Sequence, residues 1–307
     1  YIDITSEDTM LQLSNYAFDG STFDIFGSLL NGAKLVLVSK QTVLDIVRLS
    51  EIIEDKKISV FFVTTALFNT LADLNVECFK NVRKVLFGGE RVSVPHVRKV
   101  LEFVGPGRII HVYGPTESTV FATYHFVDKI DSDVGTIHIG KPLSNTKIYI
   151  VDKNNNLQPF GAPGELCIAG DGLAKGYLHR DELTKEKFVQ KPLFGEENNQ
   201  SIGDEKNNSE IMYRTGDLAK WLSDGSIEFL DRIDTQVKLR GFRIELGEIE
   251  SKLLEYEGVK EAVVLAREDK NGNKYLCAYF TAQKDIDLSF LREYLLEKLP
   301  VYMVPSD

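Results

Sequence analysis

A chain of 307 residues, 43% hydrophobic and 27% charged, has an ordinary globular composition and the length for about two domains. Its net charge of −10 argues against a nucleic-acid face, which needs clustered lysine and arginine to displace counterions, but leaves a nucleotide open as substrate. No apolar run approaches the ~18–20 residues of a membrane span, Tyr1-Ile2-Asp3-Ile4 lacks a signal-peptide layout, and Cys78, Cys167, Cys277 and the five histidines are too scattered for a disulfide or metal framework, which reads as a reduced, cytoplasmic protein.

From Gly32 to Val112 apolar strands alternate with amphipathic helices. Ala33–Val38 is a predicted strand. Val43–Asp55 is a predicted helix, with Leu44, Val47, Leu49, Ile52 and Ile53 on one side. Val60–Val63 is a strand and Ala66–Leu74 a short helix. Lys84–Phe87 is a strand ended by Gly88-Gly89, Val94–Val104 a helix, and Arg108–Val112 a strand. Continuous apolar strands between such helices predict a parallel sheet covered on both faces, with ligands at the carboxyl ends of its strands. Those ends carry Phe62 onward, Gly88-Gly89-Glu90, and HVYGPTESTV at residues 111–120. From about Thr146 the texture turns to β: Ile148–Val151, Gly164–Ala169 and Gly225–Phe229, with Asp224-Gly225 a hairpin signal. Gly195–Ser209 is polar and reads as a surface loop. After Asp231 come an acid-led amphipathic helix (Glu245–Tyr256), a strand (Val259–Ala266), a hairpin loop (Asp269–Lys274), a returning strand (Tyr275–Thr281) and a helix (Ser289–Lys298). The boundary of this small α+β unit falls near Asp234.

Singly, the motifs read blandly. In HVYGPTESTV the Gly-Pro pair marks a turn, and Glu117 is an acid at a solvated helix start. Tyr213–Asp217 is a turn, Asp231–Asp234 a surface ion-pair cluster, and Arg240–Glu245 a capped helix start. No GxxxxGK[ST] loop occurs, and Gly170–Gly176 lacks the GxGxxG spacing.

In their order the motifs say more. Asn15–Phe23 (NYAFDGSTF), Tyr113–Glu117 (YGPTE), Gly164–Phe188 (GELCIAGDGLAKGYLHRDELTKEKF), Tyr213–Asp217 (YRTGD), Arg232–Glu250 (RIDTQVKLRGFRIELGEIE) and Leu299–Pro305 (LPVYMVP) span nearly the whole chain. The set resembles the adenylation domains of nonribosomal peptide synthetases, within the adenylate-forming enzymes that include acyl-CoA synthetases and luciferase. The resemblance implies an α/β parallel-sheet subdomain (1–145), a β-rich subdomain (146–233) and a small C-terminal α+β lid domain (234–307). It also implies amino acid activation by ATP, then transfer to the phosphopantetheine thiol of a peptidyl carrier domain in a megaenzyme. The family has a phosphate loop upstream of Asn15 and a Lys loop after LPxYMxP. The expectation is therefore an internal piece of a larger enzyme with little adenylation of its own.

Roles carried over by resemblance give Glu117 the Mg²⁺, with Thr116 contacting the phosphate. Tyr113 stacks on adenine opposite Gly89, Gly114 lies in the same turn, and Asp217 accepts both ribose hydroxyls. Arg232 contacts the ribose and phosphate side. His111 is a further ATP contact, though it and Asp231 stand where the family often has Asn and Gly. Asp234 is the hinge, and Lys238 faces the site in the thioester state; the bland alternative for Lys238 is a solvated strand residue. Asp19 pairs with the α-ammonium of the substrate. The pocket positions are Gly20, Phe23, Phe62, Leu86, Gly88, Val112, Val120 and Phe121. None carries a charge or hydroxyl, so a polar substrate side chain would lack partners. Gly20 and Gly88 are expected to open space that the Phe rings and Leu86 narrow, which suits a branched aliphatic better than an indole; the pattern resembles isoleucine-activating domains, with valine or leucine next. The competing readings are an acyl-CoA ligase, which Asp19 and RGFRIELGEIE disfavour, and a non-catalytic adenylation-like module.

Overall fold

The computed structural model describes residues 1–132, 134–191, 210–239, 241–268 and 274–307. The expected polar loop Gly195–Ser209, Arg240, and the Asp269–Asn273 part of the expected hairpin loop lie outside these residues. The chain divides into two compact units, Tyr1–Ile233 and Asp234–Asp307.

The first unit begins with β1 (Thr9–Gln12), α1 (Gly20–Leu29), β2 (Lys34–Leu37), α2 (Lys40–Leu44), α3 (Ile46–Asp55), β3 (Val60–Thr64) and α4 (Thr65–Leu74). It continues with β4 (Lys84–Gly88), α5 (Val94–Val104), β5 (Ile109–Tyr113), β6 (Thr123–Phe126) and β7 (Lys141–Pro142). These strands form one seven-stranded sheet in the order β2-β1-β3-β4-β5-β6-β7. β2, β1, β3, β4 and β5 pair in parallel, and β6 and β7 add antiparallel.

Alternation explains the unbroken apolar runs. Leu11, Phe61, Val63, Val85, Phe87 and Ile109 enter the core on one face. Met10, Val60, Leu86, Ile110 and Val112 enter a second core on the other. Both faces of each strand are buried, so no polar residue breaks the run.

The predicted helix Val43–Asp55 is instead two helices. Asp45 adopts an extended backbone (ψ 93°) and its carboxylate accepts the Arg48 N–H at 3.0 Å. Ser39 caps α2 in the same way through Thr42 N–H. A side-chain oxygen that satisfies a first-turn donor starts a new helix rather than continuing the old one. The break turns the apolar stripe: Leu49 and Ile53 are buried, whereas Leu44 and Val47 are 73% and 66% exposed. β1 and α1 also precede the expected start of the alternation. β1 is only four residues long, and α1 opens on Gly-Ser-Thr, which are weak helix formers.

A second, five-stranded sheet uses β8 (Thr146–Val151), β9 (Gly164–Gly170), β10 (Phe188–Gln190), β11 (Ile211–Trp221) and β12 (Ile227–Arg232), with α6 (Asp181–Lys187) between β9 and β10. All its pairings are antiparallel. β11 and β12 form the hairpin that Asp224-Gly225 signals, with Gly225 at φ +76°.

The second unit contains β13 (Val237–Leu239), β14 (Phe242–Ile244), α7 (Leu246–Leu254), β15 (Val259–Glu268), β16 (Lys274–Ala282) and α8 (Leu288–Lys298). β13 pairs with β14, and β15 with β16. Ile244, Ile249, Leu253, Val264, Leu291 and Leu295 give this unit its own core. No helix among the described residues is long and apolar enough to cross a membrane.

Candidate active site

The YGPTE segment leaves the carboxyl end of β5 and passes through a 3₁₀ turn, Thr116–Ser118. Thr119 and Val120 follow at φ +61° and +67°. Left-handed backbone costs a β-branched residue on the order of 1–2 kcal/mol, so the surroundings must hold it. They do so from the chain after β9: Thr119 Oγ1 donates to the Gly172 carbonyl at 2.6 Å, and Ala174 N–H donates to the Glu117 carbonyl at 2.8 Å. A Cβ on Gly172 would sit 2.8 Å from the Ser118 carbonyl oxygen, so only glycine permits this approach.

The same chain holds the Glu117 side chain. The carboxylate is buried and its Oε1 accepts the Tyr177 hydroxyl at 2.6 Å. Tyr213 Oη lies 3.3 Å further on. Burial, then the hydrogen bond to Glu117, raise the Tyr177 phenol pKa and keep it a donor. Thr116 is exposed beside it. Among the described residues no group of three or more His, Cys, Asp or Glu could hold a metal alone. A single carboxylate fits Mg²⁺ that keeps its waters and shares its oxygen ligands with substrate phosphates.

Asp217 is placed by a bulge. The β11–β9 register shifts between Arg214 and Leu218, and Gly216 turns at φ +72°. Thr215 Oγ1 donates to the Leu166 carbonyl at 2.7 Å and accepts Asp217 N–H at 3.0 Å. Glu165 pairs with Arg214 and its Oε1 accepts Gly216 N–H at 3.1 Å. YRTGD is thus a bulged strand, not an isolated turn.

Both Asp217 oxygens have protein partners. Oδ2 accepts the Tyr113 hydroxyl at 2.6 Å, and Oδ1 pairs with Arg232 Nη1 at 2.7 Å. Three residues expected at the nucleotide therefore meet in one hydrogen-bonded group across the two sheets. Burial, then the Asp217 charge, raises the Tyr113 phenol pKa. The Asp231–Asp234 cluster is correspondingly not all surface ion pairing, since Arg232 reaches the nearly fully buried Asp217. Gly89 is exposed at φ +92°, and among the described residues no atom beyond its chain neighbours lies within 4 Å of where its Cβ would be. His111 is engaged inside the fold: its ring stacks on Phe87 at 5.0 Å, and Nδ1 lies 2.8 Å from the His138 carbonyl.

Register assembles the apolar positions. Phe62 lies opposite Leu86, and Thr64, Gly88 and Val112 form one row across β3, β4 and β5. Phe23, Phe62, Leu86, Val112 and Phe121 share one cluster, in which the Phe121 ring meets Phe23 edge-on at 5.5 Å and Phe62 at 5.1 Å. Val120 is buried, its carbonyl 2.5 Å from where a Cβ on Gly114 would fall. Asp19 begins α1 without capping it, and its carboxylate makes no hydrogen bond or ion pair within the described residues.

The glycines do not do what was expected of them. A Cβ on Gly88 would fall 2.1 Å from the Val112 carbonyl oxygen, and one on Gly20 2.8 Å from Ser14 Oγ. Their missing side chains admit neighbouring atoms instead of leaving space. Ser14, Asp24, Glu165 and Tyr177 were given no role from sequence. Glu165 and Tyr177 stand inside a matching motif, but a lone acid or ring in a loop carries no periodic signal.

In the second unit, Lys238 is half-buried on β13 opposite Arg243, and exposed Asp234 accepts Gln236 N–H at 3.2 Å.

Against known proteins, the family model described as AMP-binding enzyme matches residues 1–178. Bacitracin synthase 1 of Bacillus licheniformis is 58% identical over 306 residues, covering 100% of this chain and 6% of the relative. Surfactin synthase subunit 1 of Bacillus subtilis (strain 168) is 54% identical, covering 100% of this chain and 8% of the relative. The solved structure of holo-PA1221, a nonribosomal peptide synthetase protein containing adenylation and carrier domains bound to a vinylsulfonamide inhibitor, superposes with a TM-score of 0.85 at 32% identity. That match covers 99% of this chain and 50% of the solved one. The chain belongs to the AMP-binding enzymes, as an adenylation domain of the nonribosomal peptide synthetase kind. It spans a small fraction of the synthetases it matches.

Proposed function

We propose that this chain activates an amino acid as its adenylate and passes the acyl group to the phosphopantetheine thiol of a carrier domain, with isoleucine preferred and valine or leucine next. The observation that carries the reading is the Tyr113–Asp217–Arg232 group. It brings the strand before Glu117, the YRTGD bulge and the end of β12 together at one place.

The carboxylate oxygen of the amino acid attacks the α-phosphorus of ATP, the bond to the bridging oxygen breaks, and pyrophosphate leaves. Bringing two anions together makes this a problem of positioning and charge. Mg²⁺, when bound, would neutralise phosphoryl charge; Glu117 would hold it, and Thr116 would contact the phosphate. Tyr113 and Gly89 flank the adenine, with Gly114 in the same turn. Asp217 takes the ribose hydroxyls on lone pairs that Tyr113 and Arg232 leave, since a carboxylate offers about four. Asp19 pairs with the α-ammonium. Phe23, Phe62, Leu86, Val112, Val120 and Phe121 present apolar surface to the side chain. Asp234 acts as hinge, and Lys238 comes to the site for thioester formation.

Calorimetric titration of the chain with 5′-O-(aminoacyl)sulfamoyl adenosines tests binding directly. The isoleucine compound should bind tightest, with valine within about 10–200-fold, as one methylene allows. A preference for a charged or aromatic side chain would refute the pocket. In the synthetase that carries this sequence, acyl transfer to free CoA in place of a carrier domain would favour the acyl-CoA ligase reading.

A further inference from the structure

We propose that Ser14, clamped by the buried Asp24, is a specificity-determining residue of the amino acid pocket, filling the volume that Gly20 vacates. The inference rests on the pocket reading above and adds a wall to it.

Three observations meet at this spot. First, Gly20 is buried at the start of α1, and a Cβ there would lie 2.8 Å from Ser14 Oγ, 3.4 Å from Ser14 Cβ and 3.4 Å from Phe62 Cε1. Real Cβ atoms essentially never come within 3.0 Å of another heavy atom, so Ser14 and an alanine at position 20 cannot both keep their places. The missing side chain is replaced by Ser14, beside a Phe62 that belongs to the apolar cluster. Second, Ser14 stands between β1 and α1 and is anchored. Asp24 is fully buried, and its Oδ2 accepts Ser14 N–H at 3.1 Å across ten residues of chain. Third, Asp24 Oδ1 is buried with no hydrogen-bond partner among the described residues. An orphaned buried oxygen is a cost that the fold carries where it holds something in place. Here it holds the stretch that leads into Asp19.

The consequence is chemical as well as steric. A hydroxymethyl group stands where the sequence showed only a glycine. With its backbone held by Asp24 and its hydroxymethyl set against Gly20, it adds no more than one carbon and one oxygen to the wall. That shortens an apolar pocket without making it polar. Gly20 sets specificity only by what it lets in.

The test compares the wild-type chain with Ser14→Gly, Gly20→Ala and the Ser14→Gly/Gly20→Ala double variant, titrated with the sulfamoyl adenosines of alanine, isoleucine and phenylalanine, each variant's folding followed by thermal melting. Ser14→Gly should shift the phenylalanine-to-isoleucine affinity ratio at least about tenfold toward phenylalanine, the scale of adding a methylene or more of space. Gly20→Ala should melt below wild type and bind the isoleucine compound more weakly, and adding Ser14→Gly should restore both. Unchanged ratios in Ser14→Gly, or a double variant no better than Gly20→Ala alone, overturn the inference. Should Ser14→Gly fail to fold, the melting rescue of Gly20→Ala is replaced by Ser14→Ala, which removes only the hydroxyl contact at 2.8 Å and must relieve part of the defect. If the wild-type chain binds no aminoacyl compound better than AMP, the pocket reading itself fails, which is distinct from unaltered selectivity in a chain that binds.

Discussion

At residue scale, Asp24 shows what burial does to a carboxyl. It lies wholly inside, and burial, only partly offset by bonds from Ser14 and Leu13, pushes its pKa from 3.8 up to about 7. An acid whose folded pKa lies above its unfolded one is more protonated in the native state. Its contribution is full below pH ~4 and is lost as pH rises through 7. A shift of about 3 units corresponds to roughly 4 kcal/mol at most. Asp24→Asn, similar in shape and uncharged, should remove this slope. Urea midpoints of the wild type should fall relative to those of the variant between pH 4.5 and 8, and parallel curves would sink the assignment. Tyr177 makes a different point. Its hydroxyl donates to Glu117, and a neutral phenol positions a carboxylate without itself cancelling the charge.

At the scale of elements, the bulge in β11 is the part that nucleotide binding would depend on. Glu165, one strand away, satisfies Arg214 and the Gly216 N–H together. Glu165→Ala leaves a largely buried guanidinium and a backbone donor unpaired. It should cost about 2 kcal/mol, less than the 3–5 of a fully buried pair because Arg214 keeps some water. Titration with AMP should also weaken, because Asp217 hangs from the same turn. A variant of unchanged AMP affinity would show that the bulge is set by Thr215 and Gly216 alone. The α2–α3 break teaches a related lesson. A period-3.6 stripe ran through Asp45, but a capping carboxylate overrode it, and the cap residue was the better guide.

For the molecule as a whole, each unit has its own core. Two-state unfolding is a property of single domains, so calorimetry should resolve two transitions. Leu253→Ala, at a buried position of the second unit's core, should lower one of them by about 3 kcal/mol and leave the other in place. A single shifted transition would argue that the units unfold together.

The sequence by itself determined β2, β3, β4 and β5 of the first sheet, because covering both faces demands unbroken apolar runs, while β1, β6 and β7 were too short to signal themselves. It likewise determined the family, because each motif is a local run of chain whose residue types the chemistry restricts. The family resemblance brought out Phe62, Leu86 and Val112 as a set, and the parallel register of the sheet is what gathers them into one apolar cluster. Only the tertiary structure decided what fills the space at Gly20 and Gly88, what holds Glu117, and how Asp217 is shared between Tyr113 and Arg232. Each of these is a matter of a volume or a hydrogen-bond partner supplied by another segment, from six residues away at Gly20 to over a hundred at Tyr113. A run of residue types records what a position tolerates, and the fold alone says which neighbour arrives there.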